Sequence, residues 1–93
     1  MKRLPPRIEL GLRIKELRAA RGMTQDDLAE KTGFFRTYMS RVETGAANPT
    51  FDALLALAGA LRVAPAALFE APTSPIPVRT RAPRGGSRGR AGK

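Results

Sequence analysis

An all-α fold follows from three features of this sequence. Apolar residues recur at helical spacing from about residue 8 to residue 70, and alternating polar–apolar strand patterns are missing. The breaks between periodic segments carry helix punctuation: Gly22, Thr24, Gly33, Asn48-Pro49 and Pro65. The expectation is a compact five-helix domain over 8–70, with a flexible N-terminal arm at 1–7 and a disordered Pro/Arg/Gly-rich basic tail at 71–93.

The arm is set apart by Pro5 and Pro6. A first helix, roughly 8–21, places Leu10, Ile14 and Leu17 on one stripe, leaves Arg13, Lys15 and Arg21 facing outward, and closes at Gly22, a residue suited to the left-handed cap. Thr24-Gln25-Asp26-Asp27 has the capping-box pattern and opens a short second helix that turns Leu28 and Ala29 inward and ends before Gly33. The third helix is expected at 35–44. A fourth starts at Thr50 and is expected to bury Phe51, Leu54, Leu57, Ala58 and Leu61; a brief fifth begins near Pro65, which fits a first helical position, and offers Leu68 and Phe69. The tail from Ala71 is nearly free of large apolar side chains, so it cannot offset the entropy of ordering.

Composition restricts the chemistry. The 93 residues contain neither cysteine nor histidine, which removes thiol nucleophiles, imidazole bases, disulfides and the usual zinc ligands. No nucleophile–base pair or metal set is evident, and an enzyme, a metal site, a cofactor and a small-molecule ligand are not expected. No apolar run approaches a membrane span, and the N-terminal prolines stand where a signal peptide needs its apolar segment, so a cytoplasmic protein is expected. The net charge of +9 is unevenly placed: residues 1–23 carry seven bases and two acids, residues 24–70 four bases and six acids, and residues 71–93 six bases and no acid. The excess lies in the flanks, where it suits DNA, RNA or an anionic membrane equally.

Function is sharper in "GFFRTYMSRVETG", Gly33 to Gly45. At 100° per residue, Arg36, Ser40, Thr37 and Arg41 fall on one side, and Met39 and Val42 on the other. Taken alone, such a helix is an ordinary solvated surface element. Its context is different, because two short helices joined by a turn containing Gly33 form a helix-turn-helix unit. In that unit the second helix enters the DNA major groove with its N-terminal part nearest the base edges.

From about Leu10 to Phe69 the chain resembles the phage lambda repressor/Cro-like, or Xre, helix-turn-helix domains. The resemblance is carried by "LRAARGMTQDDLAEKTG", "RTYMSRVETG", "NPTFDALLALAGALRV" and "LF". It implies base-edge contacts from Arg36, Thr37 and Arg41, and DNA-backbone contacts from Gln25, Tyr38, Ser40, Thr24 and Asn48. It also implies close helix approach at Ala29, core roles for Met39 and Val42, and a structural ion pair between Arg18 and Glu43. The "RTY" run is similar to controller proteins of restriction–modification systems. One departure is Phe35, which stands where the family usually has a polar cap worth roughly 0.5–2 kcal/mol. The family pattern puts Phe34 in the core and Phe35 outside, where it either touches a thymine methyl or packs against the turn. Asp26, Asp27 and Glu30 receive no functional role beyond the helix dipole and a solvated face.

The expected function is a sequence-specific DNA-binding transcriptional regulator, a homodimer on a pseudo-palindromic operator of double-stranded DNA. Two alternatives stand beside it: an antitoxin-like or bridging protein-interaction module, against which the polar readers argue, and a non-specific nucleic-acid binder working through the basic tail. For dimerisation, Val63, Leu68 and Phe69 are candidates, with core packing the competing role.

Overall fold

The computed structural model describes residues 4–73, and among them all regular structure is helical. Four α-helices follow in order: α1 (Pro6–Ala20), α2 (Gln25–Thr32), α3 (Arg36–Thr44) and α4 (Phe51–Leu61), with a 3₁₀ turn at Pro65–Phe69. The expected disordered state of the tail falls outside the described residues beyond Thr73.

Local chemistry accounts for each boundary. The prolines read as part of an arm instead start α1: Pro5 is its N-cap and Pro6 its first residue, where a missing N–H costs nothing. Gly22, Gly33 and Gly45 all adopt positive φ, so α1, α2 and α3 each give way to a residue without a side chain to strain, whereas α4 ends on Arg62 at φ 61°. Thr24 and Asp27 complete the capping box: the Asp27 N–H donates to Thr24 Oγ1 at 3.0 Å, and the Thr24 N–H donates to Asp27 Oδ2 at 2.9 Å. The hydrogen bond from the Thr24 N–H and, second to it, one from the Thr24 side chain hold the exposed Asp27 carboxyl below the usual aspartate range. Thr50 caps α4 by accepting from the Ala53 N–H.

The expected fifth α-helix is a 3₁₀ turn of five residues. Pro65 opens it and Glu70 leaves it in an extended conformation, so there is no length for α-helical bonding to propagate. Leu68 is buried, while Phe69 beside it is 66% exposed. Arg13, expected to face outward, ties this turn to α1: its Nε donates to the Ala67 carbonyl at 2.8 Å, and its guanidinium pairs with Glu70 at 2.9 Å and Glu16 at 3.3 Å.

The core is Ile14, Leu28, Ala29, Met39, Val42, Ala47, Leu57, Ala58, Leu61 and Leu68, flanked by half-buried Leu10, Leu17, Phe34 and Leu54. Each large aliphatic among them contributes about 1.5–3 kcal/mol by leaving water. Phe51 is not part of it and is 71% exposed. It lies in the first turn of α4, roughly a quarter-turn from the centre of the stripe made by Ala53, Leu57, Ala58 and Leu61.

Gly11 sets the seam between α1 and α3. A Cβ there would lie 2.7 Å from both the Glu43 carbonyl carbon and the Val42 oxygen, so the backbones meet at a distance only glycine allows. Gly45 is similarly constrained, since its absent Cβ would press on Ile8 of α1. The C-terminal end of α3 is thus clamped to α1.

Candidate nucleic-acid interface

Helices α2 and α3 and the turn between them build the site. Gly33 turns the chain with φ 81°, and its N–H and that of Phe34 both donate to the Ala29 carbonyl, at 2.9 and 3.0 Å. Thr32 Oγ1 tightens the turn by accepting from the Phe34 N–H at 3.3 Å. The Phe34 ring then packs inward against Tyr38, edge to face at 5.0 Å. Phe35 follows as the N-cap of α3 with no side-chain cap bond, and its ring is 84% exposed. The ring therefore makes little contact with the turn behind it.

On α3, Met39, Val42 and Glu43 face inward, whereas Arg36, Thr37 and Arg41 are exposed. Ser40 is half-buried. Tyr38 is also half-buried, because its ring belongs to the packed cluster with Phe34. Thr24 is exposed at the start of α2, and Asn48 is exposed in the loop after α3. The predicted base-edge residues are therefore all on the solvent-exposed side of α3. Arg41 Nη2 reaches the Ala46 carbonyl at 3.5 Å, spanning the start of that loop.

The ion pair assigned to Arg18 and Glu43 is present and bidentate: Arg18 Nε lies 2.6 Å from Glu43 Oε2, and Nη2 lies 3.0 Å from Oε1. The Glu43 side chain is 2% exposed, so its charge is paid for by these bonds rather than by water. Arg18 also donates to the Met23 carbonyl at 2.8 Å, which fixes the link between α1 and α2.

Sequence reasoning missed what happens at Gln25. Its Nε2 donates to Glu43 Oε1 at 3.0 Å, and its Oε1 accepts from Arg36 Nε at 3.0 Å. A carboxylate only accepts, so the amide nitrogen must face Glu43 and the amide oxygen must face Arg36. The buried pair thereby extends, through one amide, to the first arginine on the outer face. Arg36 Nη1 lies 3.4 Å from an Asp26 carboxylate oxygen. Gln25 and Arg36 are 11 residues apart, with no local pattern to connect them.

Comparison with known proteins agrees with this geometry. Residues 9–71 match a family model described as a helix-turn-helix domain. The immunity repressor protein of Bacillus phage phi105 is 43% identical over 54 residues, covering 58% of this chain and 38% of the repressor. This chain therefore spans well under half of that relative. An uncharacterized HTH-type transcriptional regulator, y4dJ, of Sinorhizobium fredii is 38% identical over 72 residues, covering 77% of this chain and 92% of the relative. Among solved structures, the restriction–modification controller protein C.AhdI from Aeromonas hydrophila superposes with a TM-score of 0.66 at 40% identity, covering 67% of this chain and 94% of the controller.

Proposed function

This chain belongs to the helix-turn-helix domain family, and from that membership we propose that it is a cytoplasmic, sequence-specific DNA-binding transcriptional regulator acting as a homodimer. In the proposed complex α3 lies in the major groove. The observation that carries the reading is the division of α3 into a locked inner face, Met39, Val42 and Glu43, and an outer face presenting Arg36, Thr37 and Arg41 to solvent.

Each outer residue has a stated role. Arg36 and Arg41 offer paired N–H donors to guanine O6 and N7, and Thr37 offers a hydroxyl and a methyl to its neighbouring base pair. Phe35, exposed beside Arg36, meets a thymine methyl. Thr24, Gln25, Tyr38, Ser40 and Asn48 position the helix through phosphate oxygens, contacts that set register without reading sequence. A single domain of this size makes few base contacts, so two copies on two half-sites supply the missing specificity, with recognition helices about 34 Å apart. Leu68 is withdrawn as a dimer contact, since it is fully buried in the core, while Phe69 is exposed and available for pairing, as are Phe51 and Leu55 of α4.

Replacing Arg36 tests the reading. Arg36→Ala should weaken operator binding by about 1–3 kcal/mol and relax preference at one base pair per half-site. Equal losses on operator and scrambled duplexes would reduce Arg36 to a phosphate contact.

A further inference from the structure

The guanidinium assigned to a base edge is held in the protein by two neighbours of different chemistry. Gln25 Oε1 takes its Nε at 3.0 Å, and the Asp26 carboxylate faces its Nη1 at 3.4 Å, with Arg36 and Asp26 side chains 62% and 72% exposed. We infer that Asp26 is a specificity-determining residue, a carboxylate that biases the Arg36 guanidinium away from phosphate and toward the guanine edge. This inference rests on the proposed reading of Arg36 as a base contact.

The physical basis is the charge of the acceptor. Phosphate and guanine each offer a guanidinium two acceptors, but a phosphate carries a full negative charge and the guanine O6/N7 edge carries none. A phosphate that approaches Arg36 must share it with Asp26 and meets like-charge repulsion at short range. A guanine edge makes the same bonds without that repulsion. Gln25 keeps the competition local: its orientation is fixed by buried Glu43, so Nε stays anchored while the terminal nitrogens exchange partners. The neighbouring acid Asp27 is occupied at the Thr24 cap, leaving Asp26 as the carboxylate in direct contact with Arg36.

Asp26 is the second residue of α2, in the first turn of the helix whose N-terminus is proposed to lie along the DNA backbone, so its charge lies close to the proposed phosphate contacts. An exposed pair at this distance has a modest effect, about fivefold in an equilibrium constant at most. Sequence discrimination is a ratio, and a fivefold penalty confined to the non-specific mode moves that ratio directly.

The experiment uses the full chain, an operator duplex recovered by selection from random DNA, and a scrambled duplex of equal length and composition. Affinities are measured by fluorescence anisotropy over a range of salt for the unaltered protein, Asp26→Asn, Arg36→Ala and the double variant. Asp26→Asn should bind scrambled DNA about fivefold more tightly and operator within about twofold of the original. Its salt slope on scrambled DNA should steepen by up to about 0.9, one further phosphate neutralised, with the operator slope unchanged. In the Arg36→Ala background, Asp26→Asn should leave the operator-to-scrambled ratio unmoved. Asp26→Asn raising both affinities equally, or neither, overturns the inference. If Arg36→Ala itself leaves the ratio intact, the base-reading assignment of Arg36 fails; if it lowers the ratio while Asp26→Asn does not, only the role of Asp26 fails.

Discussion

Glu43→Ala is the substitution whose cost is best defined by the structure. It removes a carboxylate that is 2% exposed and accepts three hydrogen bonds, two from Arg18 and one from Gln25. Arg18 keeps its bond to the Met23 carbonyl, but its guanidinium, itself largely buried, loses the carboxylate it pairs with among the described residues. Breaking one partner of such a pair costs about 3–5 kcal/mol. In a domain of this size that lowers Tm by roughly 15–30 °C, a large part of its total stability. Urea and thermal melts followed by circular dichroism on the full chain would measure it. Replacing both partners, Arg18→Met with Glu43→Leu, should restore stability to within about 2 kcal/mol of the original, because the cost arises from an unpaired buried charge rather than from loss of the pair. A Glu43→Ala loss below about 1 kcal/mol, or a double variant no better than the single one, would refute the reasoning.

Further outcomes are expected from the same geometry. Gly11→Ala drives a methyl into the α3 backbone, which cannot yield as a side chain would, so it should cost at least about 1–3 kcal/mol in chemical denaturation despite favouring helix locally. Phe35→Ala should leave Tm within a few degrees, since the ring is 84% exposed, yet weaken operator binding measured by anisotropy. Asp27 has a lowered folded-state pKa, so the stability it contributes is full above the ordinary aspartate range and is lost as pH falls through the lowered value. Below about pH 4, stability measured by urea melts should therefore fall less for Asp27→Asn than for the original protein.

Helix existence and order were legible because periodicity and caps act locally: Thr24 with Asp27, Thr50, and the three positive-φ glycines each end or begin a helix through bonds within a few residues. Side-chain fate at the margins was less legible. Phe51 and Phe69 belong to apolar stripes by sequence but sit at element ends, where they stay exposed among the described residues, and Arg13 looks like a surface residue until the 3₁₀ turn folds back over α1. In the site, the outer face of α3 could be read from a helical wheel and the Arg18–Glu43 pair from family resemblance. At 100° per residue Glu43 falls between the two faces of α3, and its burial becomes clear only where Gly11 brings α1 against its backbone. The Glu43–Gln25–Arg36–Asp26 chain depends on tertiary distances alone, which single-residue patterns do not encode.

The central claim is that the outer face of α3 reads base sequence. Selection of bound duplexes from a random-sequence pool tests it most directly, using the full chain and, in parallel, a variant carrying Arg36→Ala, Thr37→Ala and Arg41→Ala with a verified fold. The original protein should enrich a two-fold-related motif whose half-sites recur at about one helical turn, and the triple variant should enrich none while still binding DNA weakly in a salt-dependent way. Failure of the original protein to enrich any motif, or enrichment of the same motif by both proteins, would contradict the account.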